Sequence, residues 1–574
     1  MCEFSISVAK RARAAFILLV AACATAGAQP PFPAPVDEAD LILTGGEIYT
    51  AAGWAEAMAI QRGVIVAVGD DATIRSRAGA RTEVIDLGGA AVLPGLHDMH
   101  VHPGGGGNQG CGFPQGSPLE VVQETIAACV ADRQPGEWIT GGQWDAASIG
   151  APPHRSMLDA VSPDNPVVLT DISGHSRWAN TMALEMSGVT AETPDPPGGA
   201  VERDADGKPT GVLRESAGGL IRARVPPPAP GQMLEGLKNS LDLMLSHGIT
   251  SFTDAVASEG SLRSYADLAD QGVLKQRVRA CVMWRPGGPT IDSAMPPGPL
   301  ARANLYARDR VSPDCVKLML DGVPTDGHTA AMLEPYADTS LDDAERERGL
   351  LQIPQETLNE MLIALDSWGF TVKMHAAGDA AVRAGLDAVA AAREANGFSG
   401  ILHDVAHNSF VHMDDIARAR DIAATFEMSP YIWYPNPIIP DIEKAIGPGR
   451  MERWIPVKDA IESGALVVPG SDWPVVPEVN PWIGIETLVT RQAPGGVGEP
   501  LGEPITLEQA IDLFTVNASR QMGNANKTGR IAPGMLADVI VLDRNPFEIP
   551  ITEVHRTQVK MALVDGEIVY RSGN

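Results

Sequence analysis

Apolar positions along the chain show two textures. From Asp40 to about Asp86, short β-type runs (LILTGGEIYTA, AEAMAIQRGVIVAVG, TEVIDLGGAAV) are divided by Gly-rich turns, the pattern of a small antiparallel sheet. The C-terminal runs ADVIVLDR and VKMALVDGEIVY repeat it. Residues 38–92 and 526–574 are therefore expected to build one small β domain into which the rest of the chain is inserted. Two unrelated terminal hairpins are the alternative.

Over residues 93–525 the texture changes to short apolar strands alternating with helical patterns, the signature of parallel βαβ units. Eight such strands can be read: the one ending at His102, then ITSFTDA, VRACVMW, CVKLML, FTVKMHA, HDVAHN, AATFEMS and LVVPGSD. Stretches between them, such as EGLKNSLDLMLSHG, ETLNEMLIALDSWG and GDAAVRAGLDAVAAAREANG, carry helical periodicity and end in Gly, a common helix stop. Eight units give an α/β chain with a TIM-type (β/α)8 barrel. Residues 103–231 interrupt the rhythm. They are too many for a plain loop and predict a subdomain beside the barrel mouth, where substrate contacts tend to be built.

The first 28 residues read as an export signal, with Lys10, Arg11 and Arg13 before the apolar run Ala14 to Ala22 and a small-residue cleavage site at Ala26-Gly27-Ala28. That implies a periplasmic or secreted protein. A rival reading makes Val20-Ala21-Ala22-Cys23 a lipoprotein signal with Cys23 acylated. The apolar run is shorter than the roughly 20 residues of a membrane span.

Charge narrows the partners. With 44 basic against 72 acidic residues the formal net charge is -28, which opposes binding to nucleic acid or an anionic membrane and favours small neutral or cationic substrates. Of six cysteines, Cys111 and Cys129 are close enough to form a local bridge in an oxidising compartment, or to be two buried thiols. None shows the Cys-x-x-Cys spacing of a structural zinc site, so other residues must hold any metal.

His100 and His102 are two apart on a strand, so both imidazoles project to one face and can reach one ion. Lys317, His375, His407 and Asp472 each lie on or at the end of a predicted strand, and strand C-termini of a barrel converge on one mouth. Singly, each histidine could be a core residue and Asp472 a cap; together they describe a site. Lys317 sits in the apolar run VKLML, where an unpaired ammonium is costly to bury. Either it snorkels to water, or its neutral amine adds carbon dioxide to give a carbamate able to bridge two metals. An aspartate, a carbamate and a hydroxide would bring such a centre to about +1.

The segments LPGLHDMHVHP, PVVLTDISGHSRWANTMAL, VKLMLDG, MHAAGDAAV, VAHNSFVHMDDIARA, GSDWPV and GRIAPGMLADVIVLD, in that order, resemble the amidohydrolase superfamily. They resemble in particular its amidohydrolase 3 branch, which includes N-substituted formamide deformylases and YtcJ-like proteins. The resemblance implies a distorted barrel flanked by a β-sandwich and a centre of two divalent ions, usually zinc. It assigns His100, His102 and Asp472 to the buried ion, His375 and His407 to the exposed one, and carboxylated Lys317 to the bridge. A metal-activated hydroxide would attack a carbonyl polarised by the second metal, Asp472 serving as base and then acid. His175 matches a position that could hydrogen-bond the substrate carbonyl or oxyanion; it could equally pin the insertion. Trp144, Trp473, Tyr431, Trp433 and Tyr434 could line an apolar pocket or simply pack the core. Asp379 is expected to orient His375 or to cap the helix that begins there. The branch usually has a glutamate directly before the histidine of the sixth strand; here Ala406 stands in its place.

Three functions are consistent with these residues: hydrolysis of a non-peptide C–N bond (amide, N-acyl or formamide) on a hydrophobic or aromatic scaffold, hydrolysis of a lactone, ester or cyclic imide by the same centre, and a non-catalytic secreted binding or regulatory role. The complete ligand set and Asp472 favour an enzyme, since a binding module needs no general base.

Overall fold

The computed structural model describes residues 38–105, 110–227, 230–284, 296, 298–338, 346–432 and 438–573. At its centre are eight strands: β1 (Leu96–Val101), β2 (Ile249–Ala257), β3 (Arg277–Met283), β4 (Val311–Met319), β5 (Thr371–Ala376), β6 (Asp404–His407), β7 (Thr425–Met428) and β8 (Leu466–Pro469). Each pairs in parallel with its successor, and each of the eight predicted runs supplies one. The ring closes where the turn after β8 meets β1. There the Asp472 N–H donates to the His100 carbonyl and the His102 N–H to the Trp473 carbonyl, both at 2.8 Å.

Strands covered on both faces are mostly apolar, and every residue of β5 and β7 is buried, Lys373, His375 and Glu427 included. Helices Pro230–Ser246, Gln355–Ser367 and Asp379–Asn396 occupy the predicted amphipathic stretches. The latter two bury stripes that include Leu358, Leu362 and Leu365, and Val382, Leu386 and Val389. That spacing of three and four residues is the core face of a helix.

The two chain ends meet in one sheet, ordered Glu567–Arg571, Val559–Val564, Val539–Leu542, Ala91–Pro94, Glu47–Thr50, Gly53–Ala55. A second sheet, ordered Val64–Gly69, Ala57–Gln61, Ala39–Thr44, Ala78–Asp86, shares with it a core of Leu41, Ile60, Ile65, Val92, Val539 and Leu563. The expectation of a purely antiparallel sheet needs correcting, because Ala39–Thr44 and Ala78–Asp86 run parallel. Parallel neighbours need a crossover, and the chain between them passes through helix Asp71–Arg75.

Within residues 103–231 a six-stranded mixed sheet forms, ordered Gly199–Arg203, Pro209–Glu215, Ser176–Ala179, Val167–Asp171, Ile139–Trp144, Cys111–Gly112. Cys111 and Cys129 are disulfide-bonded, joining the last of these strands to helix Leu119–Ala131. A disulfide not expected from the sequence joins Cys281 on β3 to its register partner Cys315 on β4. Arg214 holds the insertion over the barrel, donating to Glu202 at 2.6 Å and to Asp326, in the segment after β4, at 3.0 Å. The proposed leader and Cys23 lie outside the described residues. Among the described residues, no helix is long and apolar enough to cross a membrane.

Candidate active site

The C-terminal ends of β1, β4, β5 and β6 and the turn after β8 bring the predicted residues to one mouth. His100 Nε2 lies 3.3 Å from Lys317 Nζ and 3.7 Å from Asp472 Oδ1, and His102 Nε2 is 3.0 Å from the same oxygen. The His407 ring stands 4.5 Å from that of His100 and 4.4 Å from that of His375, centroid to centroid. One ligand atom each from His100, His407 and Asp472 falls within 4.8 Å of the other two. His407 (φ 74°) and Asp472 (φ 59°) have left-handed backbone, uncommon for residues with a Cβ and frequent where a site dictates side-chain direction.

Beneath these groups the barrel interior carries charge. Lys317 on β4 is in register with Lys373 on β5, which is in register with Asp404 on β6. Lys373 Nζ donates to Asp404 Oδ2 at 2.7 Å and stands 3.9 Å from Glu427 Oε2. Glu427 Oε2 is in turn 2.5 Å from His100 Nδ1. Burial, reinforced by the neighbouring Lys373 ammonium, pushes the Lys317 amine down; burial pushes the Glu427 carboxyl up against the attraction of Lys373. His100, His375 and His407 are held well below the ordinary imidazole range, first by burial and then by nearby cationic groups. Such rings are neutral at pH 7 and keep a lone pair to offer a metal.

The insertion covers the mouth from one side. His175 stands just before strand Ser176–Ala179, its ring 4.8 Å from that of His375. Its Nδ1 is 2.8 Å from Glu215 Oε2, while Glu215 Oε1 accepts from Thr329 Oγ1 at 2.7 Å. Burial opposes a charge on His175, but Glu215 outweighs it and raises the ring above its usual value, so the nitrogen not facing Glu215 can also carry hydrogen. His375 Nε2 donates to the Gly322 carbonyl at 3.0 Å, which leaves the lone pair of the ring on Nδ1. A Cβ at Gly322 would come 2.0 Å from Glu215 Oε1, so glycine is what lets the segment after β4 approach the insertion.

Of its two expected places Asp379 takes the one at the helix, in the first turn after the N-cap Gly378, and not one at His375. It opens helix Asp379–Asn396 and accepts the Leu333 N–H at 2.8 Å, tying down the segment after β4. The acid beside His375 is Asp321, 3.6 Å from Nε2 and accepting the N–H groups of Ala331, Ala377 and Gly378. Burial raises its pKa to about 8.

Above the histidines opens a cavity of about 120 Å³. His175, His375, His407 and Asp472 form its polar floor, and Tyr431, Ile438, Ile442, Trp454, Val475 and Val476 are among its apolar walls. Two of the expected aromatic wall residues lie elsewhere. Trp144 packs against Trp178 in the core of the insertion, its indole N–H directed to the Leu169 carbonyl at 3.4 Å. Trp473 is buried in the barrel core, where its carbonyl closes the ring of strands. Trp433 and Tyr434 fall outside the described residues.

The Amidohydro_3 model of the amidohydrolase family matches residues 83–570. The chain belongs to the amidohydrolase family. YtcJ of Bacillus subtilis (strain 168) is 28% identical over 92% of this chain and 99% of its own length. The N-substituted formamide deformylase of Arthrobacter pascens is 26% identical over 93% of this chain and 99% of its own. Among solved structures, a metal-dependent hydrolase from Pyrococcus horikoshii OT3 superposes with a TM-score of 0.67 at 22% identity, covering 89% of this chain and 99% of that one.

This amidohydrolase has a donor set that fits a divalent metal: neutral imidazoles and a carboxylate oxygen, buried, mutually close and free of an intervening cationic side chain except Lys317. His100, His407 and Asp472 would hold one ion, with His102 and His375 at its margins. Sequence reading missed Glu427, Lys373, Asp404 and Glu215. The signal for the first three was present, since each is a charge inside an apolar strand run (TFEM, TVKMHA, DVAH), the same observation that singled out Lys317. Glu215 gave no such signal, because its partner His175 is 40 residues away.

Proposed function

We propose that this amidohydrolase cleaves a non-peptide C–N bond, of amide, N-acyl or formamide type, in a substrate whose scaffold is hydrophobic and uncharged. One observation carries the reading: a floor of histidines and Asp472 lies under apolar walls to which, among the described residues, no lysine or arginine contributes. A carboxylate on the scaffold, away from the floor, would find no lysine or arginine among the described wall residues to replace its hydration, whereas an alkyl or aryl N-substituent would meet isoleucine, valine and tryptophan. Similarity to a formamide deformylase over nearly the whole chain points the same way.

Two divalent ions, zinc being the usual choice, would fit the reading, held by His100, His102, His375, His407 and Asp472 together with a carbamate on Lys317. Lys317 suits that role because Asp404 is engaged by Lys373, leaving Lys317 facing His100. When bound, such ions supply Lewis acidity and lower the pKa of water. The chain's own residues do the rest. Asp472 Oδ1, at the cavity floor, can take a proton from the attacking water and return it to the leaving nitrogen. His175, braced through Nδ1 by Glu215, presents its other edge where a carbonyl oxygen would develop charge. Tyr431 and Trp454 wall the site and limit water entry. The two disulfides accord with export to an oxidising compartment, as the N-terminal segment suggests.

The test is a matched panel of N-alkyl and N-aryl formamides, N-acyl amino acids and the corresponding esters. Turnover of neutral amides above the charged ones, lost by at least 10³-fold in His100→Ala with His102→Ala, is expected. Faster turnover of esters or lactones than of any amide would overturn the choice of bond, and turnover unaffected by the double variant would overturn the site.

A further inference from the structure

We infer that Glu427 is a positioning residue for His100, fixing which ring nitrogen is offered to the ion; this rests on the metal-centre reading above. His100 can act as a ligand toward Asp472 and Lys317 only through Nε2, which lies 3.7 Å from Asp472 Oδ1 and 3.3 Å from Lys317 Nζ. A lone pair at Nε2 requires the ring hydrogen at Nδ1. A buried N–H needs an acceptor, and Glu427 Oε2, 2.5 Å away, is that acceptor.

The surroundings are built to keep the carboxylate there. Lys373 stands 3.9 Å from Glu427 Oε2 and is shared with Asp404 at 2.7 Å; Ser429 Oγ donates to Glu427 Oε1 at 3.3 Å. Asn408 Nδ2 donates to the Glu427 carbonyl at 2.8 Å, securing the strand that carries it. Room for the pair comes from Gly470: a Cβ there would lie 2.4 Å from both Glu427 Oε1 and His100 Cβ. Across the register from Glu427 stands Ala406. Its methyl group places no second charge beside the Glu427 carboxylate. An acceptor of this kind fixes the tautomer of a ligand histidine and raises its basicity.

The experiment is competition for Zn²⁺ against a chromogenic chelator, using the full chain stripped of metal, with folding of each stripped protein checked by circular dichroism. Glu427→Leu removes the acceptor and is expected to weaken Zn²⁺ binding by about 10- to 100-fold. Glu427→Gln keeps the shape and an acceptor oxygen and is expected to fall between wild type and Leu; it also serves if the leucine variant does not fold. A role confined to packing would leave affinity unchanged in any folded variant, so affinities within about twofold of wild type for a folded Leu variant, or for Gln where Leu does not fold, would overturn the inference. Zn²⁺ content of the wild type reads the metal-centre proposal separately: its absence would overturn both, whereas wild-type binding with unchanged variants overturns only the role of Glu427.

Discussion

His97, on β1 three residues before His100, is wholly buried, and burial depresses its pKa from 6.5 to about 4, aided by the charge of Arg277. Because folding lowers this pKa, the unfolded chain takes up the proton first as pH falls. The stability linked to His97 is therefore complete above about 6.5 and is lost between there and about 4. The shift corresponds to about 3 kcal/mol at most. Carboxyls such as Asp98, raised to about 6 by burial, titrate in the same window with the opposite sign, so the comparison must be between variants. Denaturant unfolding from pH 7 to 4.5 should show a steeper loss for wild type than for His97→Gln. Equal slopes would mean that the pocket admits a protonated imidazole.

At the level of elements, β3 and β4 are joined by a disulfide between register partners, Cys281 and Cys315, two residues before Lys317. A bridge enclosing a segment of this length typically stabilises by about 3 kcal/mol, chiefly by restricting the unfolded chain. Cys281→Ser with Cys315→Ser should lower the melting temperature by several degrees while leaving metal content intact, because the strands remain paired by their ladder. Loss of metal in a folded double variant would show that the bridge also sets the height of Lys317. The barrel strands were legible because each is a short, largely apolar run set between helical or loop stretches. The parallel pairing of Ala39–Thr44 with Ala78–Asp86 was not, since runs that alternate in one region do not disclose the direction in which they associate.

For the whole molecule, a metal ion at the candidate site would couple the parts. Its candidate ligands come from β1, β5, β6 and the turn after β8, spread along the chain from His100 to Asp472, so an ion bound there would clamp the closure of the barrel. Ligand binding to the native state alone adds about 4 kcal/mol at a thousandfold excess over Kd. A strong chelator should therefore lower the melting temperature by several degrees, and added Zn²⁺ should restore it together with hydrolysis. An unchanged melting curve and unchanged metal content after chelation would argue against ions at this closure. The net charge of -28 should also make association with an anionic substrate slow at low salt, and a salt series of kcat/KM would reveal it.

By itself the sequence determined the order of strands and helices, the (β/α)8 barrel, and the histidines, lysine and aspartate at its mouth, because those depend on local periodicity and on polar residues at strand ends. Tertiary structure decided what local pattern cannot carry. It placed Trp144 and Trp473 in cores instead of the cavity wall and made Asp321, not Asp379, the acid beside His375. It also set Glu427 under His100 through a gap that Gly470 leaves open. These are relations between side chains distant in sequence, fixed only when strand register and packing bring them within a few ångströms.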